Sequence, residues 1–193
     1  MYSDVKELLP KDSPKPLGKT VVLTSYVDAN LCHDLITGRS ITAILHLANQ
    51  TPIDWYSKRQ GTVETATFGS EFSAARTVVE QIIDLRTTLR YLGVPVQHKS
   101  YMFGDNKSVV DNAAVPTSTL SKRHHALSYH RVREAIAAKF VVFHWIDGKK
   151  NPADVLSKHW DFVSVWPLLK PLLFWKGDVS NIKDNVKEKT TKK

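Results

Sequence analysis

The sequence has only one cysteine, Cys32, in 193 residues. A single thiol cannot form an internal disulfide bond, and it cannot supply the several cysteines of a structural zinc site. Hydrophobic residues make up 42% of the chain, which is enough for the packed core of one domain. We therefore expect a fold held together by hydrophobic packing, in a reducing, intracellular and cytoplasmic compartment.

The sequence also lacks a long uninterrupted apolar run. Residues 1–18 combine charged side chains with three prolines, where a signal peptide would need an apolar segment. The most apolar stretch, VWPLLKPLLFW at residues 165–175, is too short for a membrane span and contains two prolines and Lys170. The sequence predicts no membrane contact, a linker at residues 1–18, and an apolar C-terminal arm at residues 161–175 that packs on the domain or binds a partner.

Acidic residues are outnumbered by basic ones, 19 against 27, and the chain has a net charge of +8. Residues 176–193 form a predicted flexible basic tail, of which residues 183–193 supply +3 through five lysines and two acids. The remaining +5 belongs to the rest of the chain, so the tail does not account for the whole charge. Such a charge indicates an anionic partner, and nucleic acid is the commonest one.

The spacing of apolar residues divides the first half of the chain into three strands and a helix. Alternation and β-branched residues predict strands at residues 20–29, 40–49 and 53–58, in the order of an antiparallel meander. Apolar residues spaced by three and four then predict an amphipathic helix over residues 67–92.

The second half alternates between strands and helices. We predict a strand at residues 99–103, a short helix from Lys107, a helix over residues 118–139 capped by Ser118 or Thr119, a strand at residues 140–146, and a last helix over residues 151–158 capped by Asn151. This order of elements is typical of an α/β layered domain. The sequence predicts one domain over residues 19–160, with a five-stranded mixed sheet and helices on its faces.

Four acidic residues lie at the ends of these predicted elements. Asp28 ends the first strand, Glu71 begins the apolar face of the long helix, Asp105 follows the fourth strand, and Asp154 begins the last helix. Each alone has an ordinary explanation as a turn residue or a helix-start acid. If the first and fourth strands are neighbours, all four converge at one end of the sheet, where uncompensated carboxylates repel. Magnesium prefers oxygen ligands, and two such ions about 4 Å apart are used for phosphodiester cleavage.

Five segments around these acids resemble, in order and spacing, the ribonuclease H domain of copia-type LTR-retrotransposon polyproteins. They are YVDANLCHDLITGRSITA, PIDWYSKRQGTVETATFGSEFSAA, FGDNKSVV, KRHHALSYHRVREAI and NPADVLSKHW. The resemblance extends over roughly residues 25–160. Carried across motif by motif, it places the family's catalytic, metal-binding acids on Asp28, Glu71, Asp105 and Asp154.

The resemblance implies a ribonuclease H fold and endonucleolytic hydrolysis of the RNA strand of RNA–DNA hybrids by two-metal-ion catalysis. Two Mg²⁺ ions are the implied cofactors, and we expect Mn²⁺ to substitute for them. Asp105 lies between the metals in related enzymes, so we expect it to be the least replaceable acid. The implied partners are the RNA–DNA hybrid and the polymerase part of a parent polyprotein, in the cytoplasm or in retrotransposon particles.

Binding of a hybrid requires contacts to phosphates and to the 2′-hydroxyls of RNA. The basic candidates are Arg39, Lys58, Lys107, Lys122 and Arg123, and the polar candidates are Asn30, Ser70, Asn106 and His124. Many ribonucleases H carry a loop histidine shortly before the last acid, but the segment WIDGKKNPAD has none. His124 matches a family position and is a candidate substitute, although a solvated or capping role explains it as well.

The sequence leaves two alternatives to an active enzyme. The first is a catalytically idle module that binds hybrid or tethers a reverse transcriptase. The second alternative is a protein-interaction domain that uses the apolar arm at residues 161–175. An integrase-type domain is disfavoured, because its His/Cys zinc module needs more than the one cysteine present.

Overall fold

The computed structural model describes residues 5–9, 11–120 and 125–173. Its elements are β1 (Leu23–Asn30), β2 (Ile41–Ala48), β3 (Thr51–Arg59), α1 (Thr67–Tyr91), β4 (Ser100–Gly104), α2 (Lys107–Ala114), α3 (Ala126–Ala137), β5 (Val141–Trp145), α4 (Asp154–Ser157) and α5 (Phe162–Leu173). A single 3₁₀ turn, Gly148–Lys150, precedes α4. The five strands and the long helix lie where the sequence predicts them, to within a few residues.

The strands form one mixed sheet in the order β3-β2-β1-β4-β5. β1, β2 and β3 pair antiparallel as the predicted meander, whereas β1 pairs with β4 in parallel and β4 pairs with β5 in parallel. A parallel pair needs a crossover connection, and α1 supplies it between β3 and β4. The predicted five-stranded mixed sheet is confirmed, and β1 and β4 are neighbours.

The hydrophobic core lies between the sheet and α1. Val27 and Ile44 of the sheet and Phe72, Val78 and Ile82 of α1 are fully buried in it. α3 packs against α1 and contacts β5, and the ring centroids of Phe72 and Tyr129 are 5.9 Å apart. Because side chains alternate along a strand, the core residue Val27 leaves Asp28 on the opposite face of β1. There, α4 packs against β1, β2 and β3.

The predicted helix over residues 118–139 is wrong at its start. α3 begins at Ala126, residues 118–120 are not helical, and residues 121–124 lie outside the described part of the chain. Ser118 does not cap a helix, because its Oγ donates to Asn112 O at 2.6 Å and its carbonyl accepts from the Tyr129 hydroxyl at 2.7 Å. Arg133 also donates to the carbonyls of Val115 and Pro116, so tertiary contacts hold this segment in a turn instead of a helix.

The C-terminal part differs from the predicted helix over residues 151–158. α4 has only four residues, and the predicted apolar arm is a separate helix, α5, that contains Pro167 and Pro171. Only Val165 is buried in α5, while Phe162 and Val163 are more than half exposed. No described helix combines the length and the apolar character that crossing a bilayer requires. The predicted basic tail at residues 176–193 lies outside the described residues.

The N-terminal segment, predicted as a linker, contacts the domain. Glu7 accepts hydrogen bonds from Arg86 Nε at 2.5 Å and from Arg90 Nη1 at 2.6 Å. Farther along, the Leu17 amide donates to the Gly93 carbonyl at 2.9 Å. Residues 5–9 are therefore tied to the end of α1, although the sequence shows no regular pattern there.

Candidate active site

Three of the four predicted acids meet at the carboxyl end of the paired strands β1 and β4. Parallel pairing places Val27 opposite Gly104, so that the next residues, Asp28 and Asp105, lie side by side. Glu71 approaches from the first turns of α1, where the Ala29 amide donates a hydrogen bond to it. One carboxylate oxygen from each of these residues lies within 4.8 Å of the other two. We call this group the acid cluster.

Burial and mutual repulsion make the acid cluster easier to protonate than free carboxylates. Burial is the largest cause of the raised pKa of Asp28, which reaches about 6, and the charges of Asp105 and Asp154 raise it further. Burial and the charges of Asp28 and Asp105 also raise the pKa of Glu71. The pKa of Asp105 is raised mainly by burial, with Asp154 adding to it. The cluster therefore lacks part of the positive charge that three ionised carboxylates need.

Asp154 lies beside the acid cluster but has a different partner. Lys158, four residues later, forms an ion pair with Asp154 Oδ1. Burial lowers the pKa of Lys158, but the contact with Asp154 and the nearby carboxylates outweigh burial and raise it. Between these two residues, the Ser157 hydroxyl donates a hydrogen bond to Asp28 Oδ2. The short helix α4 thus contributes an acid, a hydroxyl and an ammonium group to one site.

Asn151 fixes α4 to the end of the sheet. Its side-chain amide donates to the Val27 carbonyl at 2.9 Å, and its Oδ1 accepts from the Ala153 amide at 3.2 Å. Asn151 is fully buried, so these bonds also satisfy its polar atoms. On the other side of α4, Ser57 Oγ donates to the Leu156 carbonyl at 2.6 Å. The predicted cap of the helix by Asn151 is wrong, because α4 begins at Asp154 directly after Ala153, but the hydrogen bonds of Asn151 still anchor Asp154 next to β1.

The last residue of β5 and the loop that follows it restrict the position of Asp105. Trp145 Nε1 donates to the Asp105 carbonyl at 2.9 Å. A Cβ atom placed on Gly148 would lie 2.9 Å from Asp105 Oδ2, closer than real Cβ contacts occur. A glycine is therefore required at position 148 if the Asp105 carboxylate is to keep this orientation.

The predicted nucleic-acid contacts have different environments. Asn30, Asn106 and Lys107 line the same open cavity as the acid cluster. Asn106 Oδ1 also caps α2 by accepting from the Val109 amide at 3.3 Å. Asn30 Nδ2 contacts His33 and the Ser157 carbonyl.

Six other predicted contacts differ from these three or lie outside the described residues. Ser70 is fully buried and its Oγ donates to Thr67 O, so its side chain cannot contact a bound strand in this structure. Arg39 and Lys58 lie away from the cavity, Arg39 in the turn before β2 and Lys58 exposed on the edge strand β3. The predicted contacts Lys122, Arg123 and His124 lie outside the described residues.

Three contributors to the site were missed from the sequence. Ser157 and Lys158 follow Asp154 at the spacings of three and four that place side chains on one face of a helix, and this spacing was the available signal. Gly148 had no comparable signal, because its close approach to Asp105 depends on how the loop after β5 folds back.

The structure resembles solved ribonucleases H. The N-terminal RNase H domain of rv2228c from Mycobacterium tuberculosis, solved as a fusion with maltose-binding protein, matches with a TM-score of 0.54 at 13% identity, over 78% of this chain and 97% of that one. RNase H1 from Halobacterium salinarum matches with a TM-score of 0.54 at 12% identity, over 72% and 95%. LC11-RNase H1, solved in complex with an RNA/DNA hybrid, matches with a TM-score of 0.55 at 14% identity, over 69% and 92%. The protein has the ribonuclease H fold.

The sequence itself is similar to retrovirus-related Pol polyproteins. It is 28% identical over 141 residues to the polyprotein from transposon TNT 1-94 of Nicotiana tabacum and 24% identical to that from transposon RE2 of Arabidopsis thaliana. Each alignment covers 73% of this chain but only 10% of the polyprotein. No protein-family model matches the chain. Its homologues are the Pol polyproteins of copia-like transposons, which confirms the resemblance seen in the sequence.

Proposed function

We propose that this chain cleaves the RNA strand of RNA–DNA hybrids endonucleolytically, by two-metal-ion hydrolysis, during reverse transcription of a retrotransposon. The observation that carries the proposal is the acid cluster, in which carboxylate oxygens of Asp28, Glu71 and Asp105 lie within 4.8 Å of one another at an open cavity. The ribonuclease H fold and the Pol polyprotein homologues support it. One neighbour in fold was solved with an RNA/DNA hybrid bound.

The chemistry of the acid cluster fits a hard divalent cation. All three side chains offer carboxylate oxygens, the ligands that Mg²⁺ prefers, and the cavity leaves room for the water molecules that Mg²⁺ retains. Burial and neighbouring acids raise the pKa values of Asp28 and Glu71, so a cation bound among these carboxylates would favour their ionised forms. Mg²⁺ is the proposed ion, with Mn²⁺ as a substitute and Asp154 as a further ligand.

The residues of the chain itself orient the site before any ion binds. Ser157 holds one oxygen of Asp28, and the Ala29 amide holds Glu71. Gly148 leaves space for the Asp105 carboxylate, and Asn151 keeps α4 against β1. Divalent ions bound to these carboxylates would stabilise the charge that develops on the phosphate during hydrolysis. Ligands held in this way lose little conformational entropy on binding an ion.

The surroundings of the cavity suit a phosphate backbone. Lys107 supplies an exposed positive charge, and the side chains of Asn30 and Asn106 supply polar groups next to the acid cluster. Backbone contacts of this kind position a nucleic acid without reading its bases. Arg39 and Lys58, which do not line the cavity, remain proposed contacts. Lys122, Arg123 and His124 also remain proposed contacts, and they lie outside the described residues. The polymerase part of the parent polyprotein is the proposed partner that adds affinity for the hybrid.

The test uses the full chain with a hybrid labelled on its RNA strand, in Mg²⁺ or in Mn²⁺, with double-stranded DNA and double-stranded RNA as comparison substrates. We expect cleavage of the hybrid RNA alone, and no cleavage in EDTA. Asp105→Asn should abolish it. Asp111→Asn is the matched control, because Asp111 is an exposed acid on α2 for which the same substitution removes the same charge outside the cavity.

Two outcomes would contradict the proposal. Binding of hybrid without cleavage, in the presence of either ion, would favour the catalytically idle binding module. Cleavage that Asp105→Asn leaves unchanged would show that the activity arises elsewhere or from a contaminant.

A further inference from the structure

The fourth acid, Asp154, is separated from the acid cluster by its pairing with a lysine. Asp28, Glu71 and Asp105 form one group of mutually close oxygens, and Asp154 is not a member of that group. The Asp154 side chain is about nine-tenths buried, and its Oδ1 contacts the ammonium group of Lys158. The site therefore contains a place for one divalent ion and, beside it, an acid that already has a cation.

The ammonium group of Lys158 faces the whole site and not only Asp154. Lys158 lines the same cavity as the acid cluster, and its charge acts on Asp28, on Glu71 and on Asp105. Lys107 also lines the cavity, but no contact between it and a carboxylate is seen in the described residues. An ion pair between residues four apart on a helix is ordinary by itself. The additional carboxylates around Lys158 distinguish this pair.

We propose that Lys158 is a built-in counter-cation of the site, which competes with a second divalent ion for Asp154. This inference rests on the proposed function, because it concerns the ions that the nuclease would use. In the metal-free protein, Lys158 supplies a positive charge that the crowded carboxylates require. A first ion at Asp28, Glu71 and Asp105 can bind without breaking the ion pair. A second ion can use Asp154 only after the ammonium group leaves it.

The lysine side chain is suited to such an exchange. It is 41% exposed, so its ammonium group can move into water without crossing a packed region. A lysine ammonium is a compact charge on a flexible stem and, unlike an arginine, makes no fixed bidentate contact with a carboxylate. The ion pair therefore holds Asp154 in place when the second ion is absent and releases it when that ion binds.

The direct test measures binding of Mn²⁺ alone to the full chain by isothermal titration calorimetry, without nucleic acid. Lys158→Met keeps the length of the side chain and removes its charge. We expect the second Mn²⁺ to bind about fivefold more tightly, or better, in Lys158→Met than in the wild type, because a like charge close to the ion is gone. Lys107→Met is the matched control, since it removes one charge from the same cavity and should have a smaller effect.

A second measurement does not depend on a substitution. In the wild-type protein labelled with ¹⁵N-lysine, the ammonium signal of Lys158 should be protected from exchange with water by its ion pair. Titration with Mg²⁺ should leave this protection in place for the first equivalent and remove it as the second ion binds. Protection that persists at saturating Mg²⁺ would overturn the inference.

The same variants separate this inference from the proposed function. If Lys158→Met and the wild type bind Mn²⁺ identically, or the variant binds the second ion more weakly, Lys158 does not compete with it, even if both proteins cleave the hybrid. If neither protein cleaves the hybrid but the Lys158→Met effect on Mn²⁺ binding is present, the counter-cation is supported and the nuclease function fails.

Discussion

Each end of β4 lies next to a group of buried charged side chains, and the two groups differ in their balance of positive and negative charge. At its start, the Ser100 hydroxyl accepts from Arg86, whose guanidinium group also pairs with Glu7. At its end, Asp105 joins two other carboxylates in the acid cluster. The first cluster balances its charges within the chain, whereas the second leaves negative charge in excess.

The charge balance of the two groups distinguishes a structural ion pair, between Glu7 and Arg86, from a candidate functional site, the acid cluster. Arg86 is fully buried and satisfies its donors with Glu7, Ser100 and the carbonyls of Gln97 and His98. Burial alone would raise the pKa of Glu7, but its hydrogen bonds to Arg86 and Arg90 outweigh burial and lower it. In the acid cluster the pKa values move in the opposite direction. Buried charge that the protein does not neutralise is a sign of an external ligand.

The largest expected effect comes from the acid cluster. Asp105→Asn should lower hybrid cleavage by at least about a thousandfold, because it removes a proposed ligand of the ions that are proposed to stabilise the transition state. The free energy of unfolding in EDTA should not fall, because the substitution also removes a repelling charge. Rates from single-turnover cleavage and urea unfolding check the two statements on the same samples. A variant that is inactive and also strongly destabilised would instead assign Asp105 a structural role.

At the other end of β4, Glu7→Ala should lower the stability of the protein, whereas Asp105→Asn should not. We expect it to lower the free energy of unfolding by about 3 kcal/mol, because it leaves the buried Arg86 without its counter-charge. The matched control is Glu80→Ala, which breaks the exposed pair with Arg76 on the same helix and should cost less than about 1 kcal/mol. Urea unfolding measures both. Equal effects of the two substitutions would show that residues 5–9 do not stabilise the domain.

A divalent ion should raise the free energy of unfolding by binding to the acid cluster. It should have no effect on the contacts of Glu7 with Arg86 and Arg90. At a Mn²⁺ concentration about 100 times its Kd, one bound ion adds about 2.7 kcal/mol to the free energy of unfolding. The wild type and Glu7→Ala should gain this stabilisation alike, and Asp105→Asn should gain much less. Thermal unfolding with and without Mn²⁺ measures it. A gain that is unchanged in Asp105→Asn would place the ion elsewhere.

The smallest expected effect is a difference in pH dependence between the clusters. The pKa of Asp28 is raised to about 6 from 3.8, so the folded state binds more protons than the unfolded state between these values. The metal-free acid cluster therefore loses stability as the pH rises from about 4 to about 6. In EDTA, Asp105→Asn should gain stability relative to the wild type over that interval. Urea unfolding at several pH values tests this, and a difference that is independent of pH would contradict it.

The contribution of Glu7 to the free energy of unfolding should change with pH in the opposite direction. Its folded pKa lies below the ordinary value of 4.5, so its contribution is fully present above that pH and disappears as the pH falls through the folded pKa. The stability difference between the wild type and Glu7→Ala should thus be constant above about pH 6 and shrink below pH 4.5. A difference that grows in acid would mean that Glu7 is not ionised in the folded state.

Much of the fold could be predicted, because apolar spacing reports local structure directly. The strands and α1 follow from alternation and from three-and-four spacing in residues 20–92. The start of α3 could not be predicted, because Ser118 has the properties of a helix cap but is hydrogen-bonded instead to Asn112 of α2 and to Tyr129, 11 residues later within α3 itself. Arg133, which donates to the carbonyls around it, is also remote in sequence.

The candidate site was predictable in its acids and less so in what surrounds them. An acid at the end of an apolar strand or at the head of an apolar helix face is unusual enough to be noticed, as for Asp28 and Glu71. The burial of Ser70 was not predictable, since its place on the turn of α1 next to Gln60 depends on how the preceding loop returns to the helix.

The sequence by itself determined the order of the strands and helices as far as α4 and singled out four acids, because both depend on residue type and local spacing. The tertiary structure decided which charges meet. Glu7 and Arg86 are 79 residues apart, and Ser157 and Asp28 are 129 residues apart. Parallel pairing of β1 with β4 brings Asp28 and Asp105 together, while the short α4 pairs Asp154 with Lys158. Electrostatic energy depends on distance in space, and only the fold sets that distance.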